Sequence, residues 1–300
     1  MTLVAGGAVE LYPTPTNIIL RQGQVEDADA CGAICYEAFN AIAQAHDFPP
    51  DFPSSEIAVG LMASILGRDD VYSVVAERDG RIVGSNFLWE GSVIAGIGPI
   101  TVDAKLQDGA IGRRLMQDVL GRARKRRFAG VRLVQAAYHN RSLSLYTKLG
   151  FDTREPLSTL QGPALTVEIP GYIVRSALQK DREACNQLCV RVHGHHRGRE
   201  LRDAITQGTA TVVERAGHIT GYATLIGFFG HAVGEGNDEL KALIGATNTF
   251  AGPGLLMPTR NGDLLRWCLD HGLRIVQPMT LMSRGLYNQP AGAFLPSILY

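Results

Sequence analysis

Residues 97–151 place the tightest constraint on how this chain can fold. An apolar run over residues 97–102 predicts a strand. It leads into a polar turn, Gln107-Asp108-Gly109-Ala110-Ile111-Gly112, and the turn opens into an amphipathic helix over residues 113–127. A second apolar strand over residues 131–136 follows, then a short helix over residues 140–149 stopped by Gly150. Strand, glycine-bearing turn and helix in that order make an α/β unit with a natural anion site. The first backbone N–H groups of a helix have no internal partner, and the helix dipole adds partial positive charge there. Gly109 and Gly112 have no Cβ, so a phosphate can approach the backbone. Arg113 and Arg114 add formal charge beside it. Taken alone, such a turn is an ordinary connection with two surface arginines, and the motifs around it decide the reading.

Those motifs resemble the GNAT (GCN5-related) N-acetyltransferase family. That family grips the pyrophosphate of acetyl-CoA with Gln/Arg-x-x-Gly-x-Gly/Ala between a strand and a helix. The matching residues are Gln107, Ala110 and Gly112, with Ala110 standing where the family usually has glycine. Alanine suits that place if the backbone there is helical rather than left-handed. The family's later signature is an Asn, a Tyr seven residues on, and then Gly-Phe. Tyr146 and Gly150-Phe151 match it; His139 holds the Asn position and Asn140 follows, so either of the two would meet the cofactor. The resemblance covers residues 17–160. It implies a mixed α/β domain, a mostly antiparallel sheet with a splayed central parallel pair flanked by helices. It also implies a site: Ile100, Thr101 and Val102 on the splayed strand, Gln107, Asp108, Gly109, Ala110, Ile111, Gly112, Arg113 and Arg114 around the pyrophosphate, and His139 or Asn140 beyond. Tyr146 would be the general acid for the coenzyme A thiolate. A phenol with an ordinary pKa near 10 is matched to that task. The general base is not implied. Residues 94–102 hold no Asp or Glu, Glu90 and Asp103 flank them, and His46 stands in a nearby loop.

A chain of 300 residues is long for one core and natural for two domains of about 150 each. Lys+Arg and Asp+Glu number 29 each, so charge points to neither nucleic acid nor an anionic membrane as a partner. No apolar run approaches a membrane span, and the first residues lack the pattern of a secretory signal and read as a loose extension. Five cysteines, an odd number, do not suggest a disulfide framework. Cys31/Cys35 and Cys185/Cys189 lie four apart in helical patterns and read as small buried apolar side chains. A reduced cytoplasmic protein is expected, monomeric or homodimeric, without a metal.

The second half repeats the first. Leu20-Arg21, Asp27 and Ala30-Cys31-x-x-x-Cys35 recur as Val174-Arg175, Asp181 and Ala184-Cys185-x-x-x-Cys189. The hairpin signal Arg78-Asp79-Gly80-Arg81 recurs around Ala216-Gly217, and His139 with Gly150-Phe151 recurs as Asn261 with Gly272-Leu273. Two tandem domains of the same type are therefore expected: an extension over 1–16, a catalytic domain over 17–160, a linker over 161–170 and a degenerate copy over 171–300. The second copy's central strand is expected over residues 222–233. The helix after it begins Gly234-Glu235-Gly236-Asn237-Asp238-Glu239, where carboxylates replace the arginine pair and would repel a phosphate. Cys268 stands where Tyr146 would be. That copy is expected to be structural, covering the first and completing the acceptor pocket, and the apolar tail over residues 294–300 is expected to dock on a core.

Between the first two helices lies His46-Asp47-Phe48-Pro49-Pro50-Asp51-Phe52-Pro53-Ser54, which its three prolines keep from being helical. By resemblance this region lines the acceptor site, with His46, Phe48 and Phe52 as contacts; by packing alone it is a loop clamped to the core by its phenylalanines. His193-Gly194-His195-His196 reads as a polar helix end or an acceptor contact more readily than as a metal site. The expected function is acetyl transfer from acetyl-CoA to the amine of a small-molecule or amino-acid-like acceptor. The alternative is a non-catalytic acyl-CoA-binding regulator.

Overall fold

The computed structural model describes residues 18–106 and 110–299. The first half runs β1 (Ile18–Gln22), α1 (Ala28–Ala45), α2 (Ser55–Leu66), β2 (Val71–Arg78), β3 (Arg81–Trp89), β4 (Ile94–Ile97), β5 (Thr101–Val102), α3 (Ile111–Lys125), β6 (Gly130–Ala136), α4 (Asn140–Lys148) and β7 (Asp152–Gln161). The second half repeats the order as β8 (Ile173–Ser176), α5 (Arg182–His193), α6 (Gly198–Gln207), β9 (Thr211–Arg215), β10 (His218–Ala223), β11 (Ala232–Gly234), α7 (Asn237–Gly245), β12 (Leu255–Pro258), α8 (Gly262–Asp270) and β13 (Arg274–Gly285). One further strand, β14 (Ala293–Leu295), lies in the tail.

The motif shared by the two halves is a clamp at the start of the first helix. Arg21 on β1 makes two bonds to the Asp27 carboxylate, at 2.8 and 2.9 Å, and one to Glu77 on β2 at 2.9 Å. Asp27 also accepts the N–H of Gln24 at 2.8 Å. Arg175, Asp181, Glu214 and the N–H of Leu178 repeat the arrangement. All five cysteines are buried free thiols. Along β2 the side chains alternate: Val74 and Ala76 join the core under α3 and α4, and Val75 joins the core under α1 and α2. Helix α3 presents Ile111, Leu115, Met116, Val119 and Ala123 to that core at helical spacing.

The two halves are not separate domains side by side. One nine-stranded sheet has the order β1-β2-β3-β4-β6-β13-β7-β12, with β5 paired to β3. Strand β13, from the second half, lies between β6 and β7 of the first, and β7 pairs with β12 of the second. Each half thus gives its last strand to the other. Only β4 and β6 run parallel in this sheet, over Ile94 to Gly96. The second sheet, β14-β11-β10-β9-β8, is antiparallel throughout.

Two expected strands are interrupted. Residues 97–102 are not continuous: β4 ends at Ile97 and β5 resumes at Thr101, because Pro99 has no N–H to extend a ladder. The expected strand over residues 222–233 is instead the end of β10, a loop and β11. The edge of β11 is taken by β14, with Ala232 opposite Leu295 and Gly234 opposite Ala293. The tail is docked, as its apolar composition suggests: Ala293 and Leu295 are buried in the second core. No helix among the described residues is long and apolar enough to cross a membrane.

Candidate active site

The divergence of β4 and β6 makes the site. Beyond Gly96 the two strands no longer pair, while the chain stays on β3, with Leu88 opposite Ile97, Ser85 opposite Thr101 and Gly84 opposite Val102. Gly84 permits this approach, since a Cβ there would lie 2.8 Å from the Thr101 carbonyl oxygen. The Trp89 Nε1–H donates to the Gly98 carbonyl at 3.0 Å and holds the bend. A cavity of about 410 Å³ opens between Ile100, Thr101 and Val102 on one side and Leu133 to Ala136 of β6 on the other.

At one end of the cavity lie Ala110, Gly112 and Arg113, where α3 begins. Ala110 has φ 59° and ψ 10°, so its backbone is left-handed rather than helical as alanine there would favour. Among the described residues no side chain caps α3. A Cβ added at Gly112 would meet nothing nearer than Leu145 at 3.7 Å, so the space beside this helix start is open. Arg113 is exposed on the cavity wall. Free N–H groups, a glycine and a cation fit a bound pyrophosphate. The α7 start in the second half differs: Glu239 folds back and accepts the Gly236 N–H at 2.9 Å, filling the same place with its own carboxylate.

Helix α4 supplies the opposite wall. Tyr146 is buried, lines the cavity, and has its phenol pushed up to about 12 by burial. His139 caps α4, its Nδ1 accepting the Ser142 N–H at 2.9 Å. A backbone N–H can only donate, so Nδ1 carries the lone pair and Nε2 the proton. Burial lowers the His139 pKa and favours this neutral form. Asn261 caps α8 in the same way and exchanges two amide bonds with Asn237, at 2.8 and 3.0 Å.

The remaining expected residues are scattered. Ile100, Thr101, Val102, Ala110, Gly112, Arg113, His139, Tyr146 and Phe52 share the cavity. Arg114 instead donates to the Ile18 carbonyl at 2.9 Å, Ile111 is buried in the core, and Asn140 is exposed outside the lining. Gln107, Asp108 and Gly109 lie outside the described residues. Phe48 stacks on Tyr138 at 4.2 Å between ring centres, and His46 faces the same ring at 5.2 Å; neither lines the cavity. Glu90 is engaged by Arg122 at 2.7 Å and Asp103 accepts the Lys105 N–H, both away from the cavity. His193 and His195 are buried between α5 and the tail, and no cluster of three metal-ligating side chains occurs among the described residues.

The second half reaches the other end of the cavity, through residues that the sequence does not single out. Phe228, Phe229, Met279, Ile298 and Leu299, all from the second half, close it, together with Asp51 from the loop before α2. Nothing local marks these apolar residues as anything but core. Asp51, an acid set among prolines and phenylalanines, was the one visible signal.

Residues 38–151 match the model of the acetyltransferase (GNAT) family. The chain carries a GNAT acetyltransferase domain. Acyl transfer is the chemistry of that family, which uses acetyl-CoA. The GNAT fold recurs in solved structures that span nearly the whole chain. A protein from Pyrococcus horikoshii assigned as an acetyltransferase shares 16% identity, covers 96% of this chain and 95% of its own, and has a TM-score of 0.72. A GCN5-related N-acetyltransferase from Sphaerobacter thermophilus shares 16% identity over 92% of this chain and 98% of its own, with a TM-score of 0.59. A tandem GNAT protein from the clavulanic acid biosynthesis pathway shares 14% identity over 92% and 99%, with a TM-score of 0.54. At these identities the likeness is one of fold, and it extends through the second half, which has the tandem arrangement. No curated protein matches the chain in sequence.

Proposed function

We propose that the chain is an acetyl-CoA-dependent N-acetyltransferase acting on a small amine, with catalysis in the first GNAT domain and the second half closing the acceptor end. The observation that carries this reading is the single cavity that joins the open α3 start, the splayed strand, Tyr146 and an apolar pocket built by both halves. The α3 start and Arg113 hold the pyrophosphate by backbone N–H groups and charge. The free edge of residues 100–102 orients the thioester and polarises its carbonyl. Tyr146, fully protonated at neutral pH, donates its proton to the departing thiolate. The second half has no comparable helix start, because Glu239 fills it and β14 occupies the edge of β11.

Thermal unfolding with and without acetyl-CoA tests the site. A ligand that binds only the folded state at about 100 times its dissociation constant stabilises by roughly 2.7 kcal/mol. The wild-type midpoint should therefore rise by several degrees. Gly112→Asp has room for its Cβ and should fold normally, while its carboxylate opposes a pyrophosphate and should abolish the rise. A wild-type protein that does not respond to acetyl-CoA, or a variant that responds equally, would sink the assignment.

A further inference from the structure

Among its described residues the cavity contains one acidic group, to which neither cofactor binding nor thiolate protonation gives a role. Asp51 lies in the loop between α1 and α2 and shares the cavity with Phe39, Phe52, Leu61, Ile65 and Met279. It is the one carboxylate among the described residues of the lining; the charged side chains Arg113 and Arg141 are on α3 and α4. Asp51 has no cationic partner among the described residues. Its hydrogen bond is from the Gln277 Nε2 of the inserted strand β13, at 3.3 Å. The Gln277 Oε1 in turn accepts from the Tyr138 hydroxyl at 3.3 Å. A carboxylate can only accept, so this chain fixes the amide orientation and aims the Asp51 group from both halves at once.

A carboxylate in apolar surroundings without a cation is costly, and such groups cluster where a ligand supplies the missing charge. Burial raises the Asp51 pKa, with the Gln277 bond opposing. The titratable groups facing it are Tyr138 and Cys35, both raised chiefly by burial and both uncharged at neutral pH. Farther along the cavity stand Tyr146 and His139, also neutral, with Arg113 and Arg141 on its walls and His46 behind the Tyr138 ring.

We infer that Asp51 receives the acceptor's ammonium group and removes its proton, and that the acceptor is a primary amine on a bulky apolar group without a carboxylate. This rests on the N-acetyltransferase reading. Asp51 takes one proton from R–NH3⁺, leaving the neutral amine to form the C–N bond with the thioester carbonyl carbon. As the C–S bond breaks, Tyr146 protonates the thiolate, and the tyrosinate is restored by the proton shed from the new amide nitrogen. The proton on Asp51 leaves to solvent, so the products are the acetamide, the free thiol and one proton. Phe228, Phe229, Met279 and Ile298 surround the apolar group, and the cations of the described lining, Arg113 and Arg141, stand apart from them on α3 and α4.

The test uses the full chain, acetyl-CoA, and release of free thiol with phenethylamine, hexylamine, spermidine and leucine as acceptors. Phenethylamine or hexylamine should give the highest kcat/KM. Asp51→Asn should lose roughly 100-fold to 10,000-fold in kcat/KM. Its activity should then climb with pH as the free amine itself becomes neutral, a profile that a merely structural residue would not produce. Its midpoint should still rise with acetyl-CoA and should not fall below wild type, since a half-buried charge in apolar surroundings has been removed. If acetyl-CoA stabilises the protein but Asp51→Asn keeps its activity, or spermidine or leucine is preferred, the inference falls and the broader reading stands. If acetyl-CoA neither binds nor yields thiol with any amine, both fall.

Discussion

Ala110 enters α3 in a left-handed conformation, which costs a residue with a Cβ roughly 1–2 kcal/mol. Glycine would remove that strain, while adding about 0.4–1 kcal/mol of freedom to the unfolded chain. Ala110→Gly should therefore leave stability unchanged or raise it by up to about 1.6 kcal/mol, measured by urea unfolding. A loss of 1 kcal/mol would contradict the strained backbone. The same residue marks the limit of what sequence could tell about the site. That Gly112, Arg113, His139 and Tyr146 would line one cavity was legible because one turn and two helix starts fix their spacing locally. The backbone at Ala110 was not, because an alanine does not mark a left-handed position as a glycine would. Asp51, Gln277 and Phe228 meet only through tertiary structure, and an apolar residue that walls a pocket reads the same as one that fills a core.

At the scale of elements, the order of strands and helices was legible twice over, since each half repeats the same clamp, hairpin and helix signals. The exchange of β7 and β13 was not. A strand's pattern specifies which face is buried, not which neighbour it bonds to. Strand β13 bonds along most of its length to both β6 and β7, so neither of those strands has its long partner within its own half. Removing the second half would leave the β6 edge and much of β7 unpaired, and apolar edges of that kind associate. A fragment of residues 1–160 should therefore aggregate or fail to show a cooperative transition, whereas the full chain should unfold in one step. Circular dichroism and size-exclusion chromatography of both would decide it. A soluble fragment with a sharp transition of its own would mean that the first half closes its sheet without β13.

The second half of the molecule gathers buried neutral histidines. His193 and His195 are buried beside the tail, with His193 edge-on to Phe294 at 5.3 Å. His231 is buried between the Glu200 carboxylate, to which its Nδ1–H donates at 2.9 Å, and the Tyr222 hydroxyl, which donates to its Nε2 at 2.9 Å. Burial lowers the pKa of all three; Arg132 adds to this for His193 and His195, and Arg197 for His231, while His195 comes down to about 4. His139 is lowered in the same direction. With a depressed folded-state pKa, the unfolded chain binds the extra protons. The stability these groups give is complete above the unfolded value of about 6.5 and falls as the pH drops below it. Each histidine adds up to about 1.4 kcal/mol of loss per pH unit. Asp51, raised by burial, works the other way but begins from the lower carboxylate range. The lowered carboxylates Asp27, Asp181 and Glu200 lose their contribution only below about 4.5. Between pH 7.5 and 5.5 the histidines should dominate, and the urea midpoint of the full chain should fall steadily across that interval. Replacing His231 by Gln should flatten the fall while lowering stability at pH 7.5, because Glu200 and Tyr222 lose a ring that serves both. A midpoint unchanged down to pH 5.5 would mean that these rings gain their protons without cost, and that their surroundings are open to water.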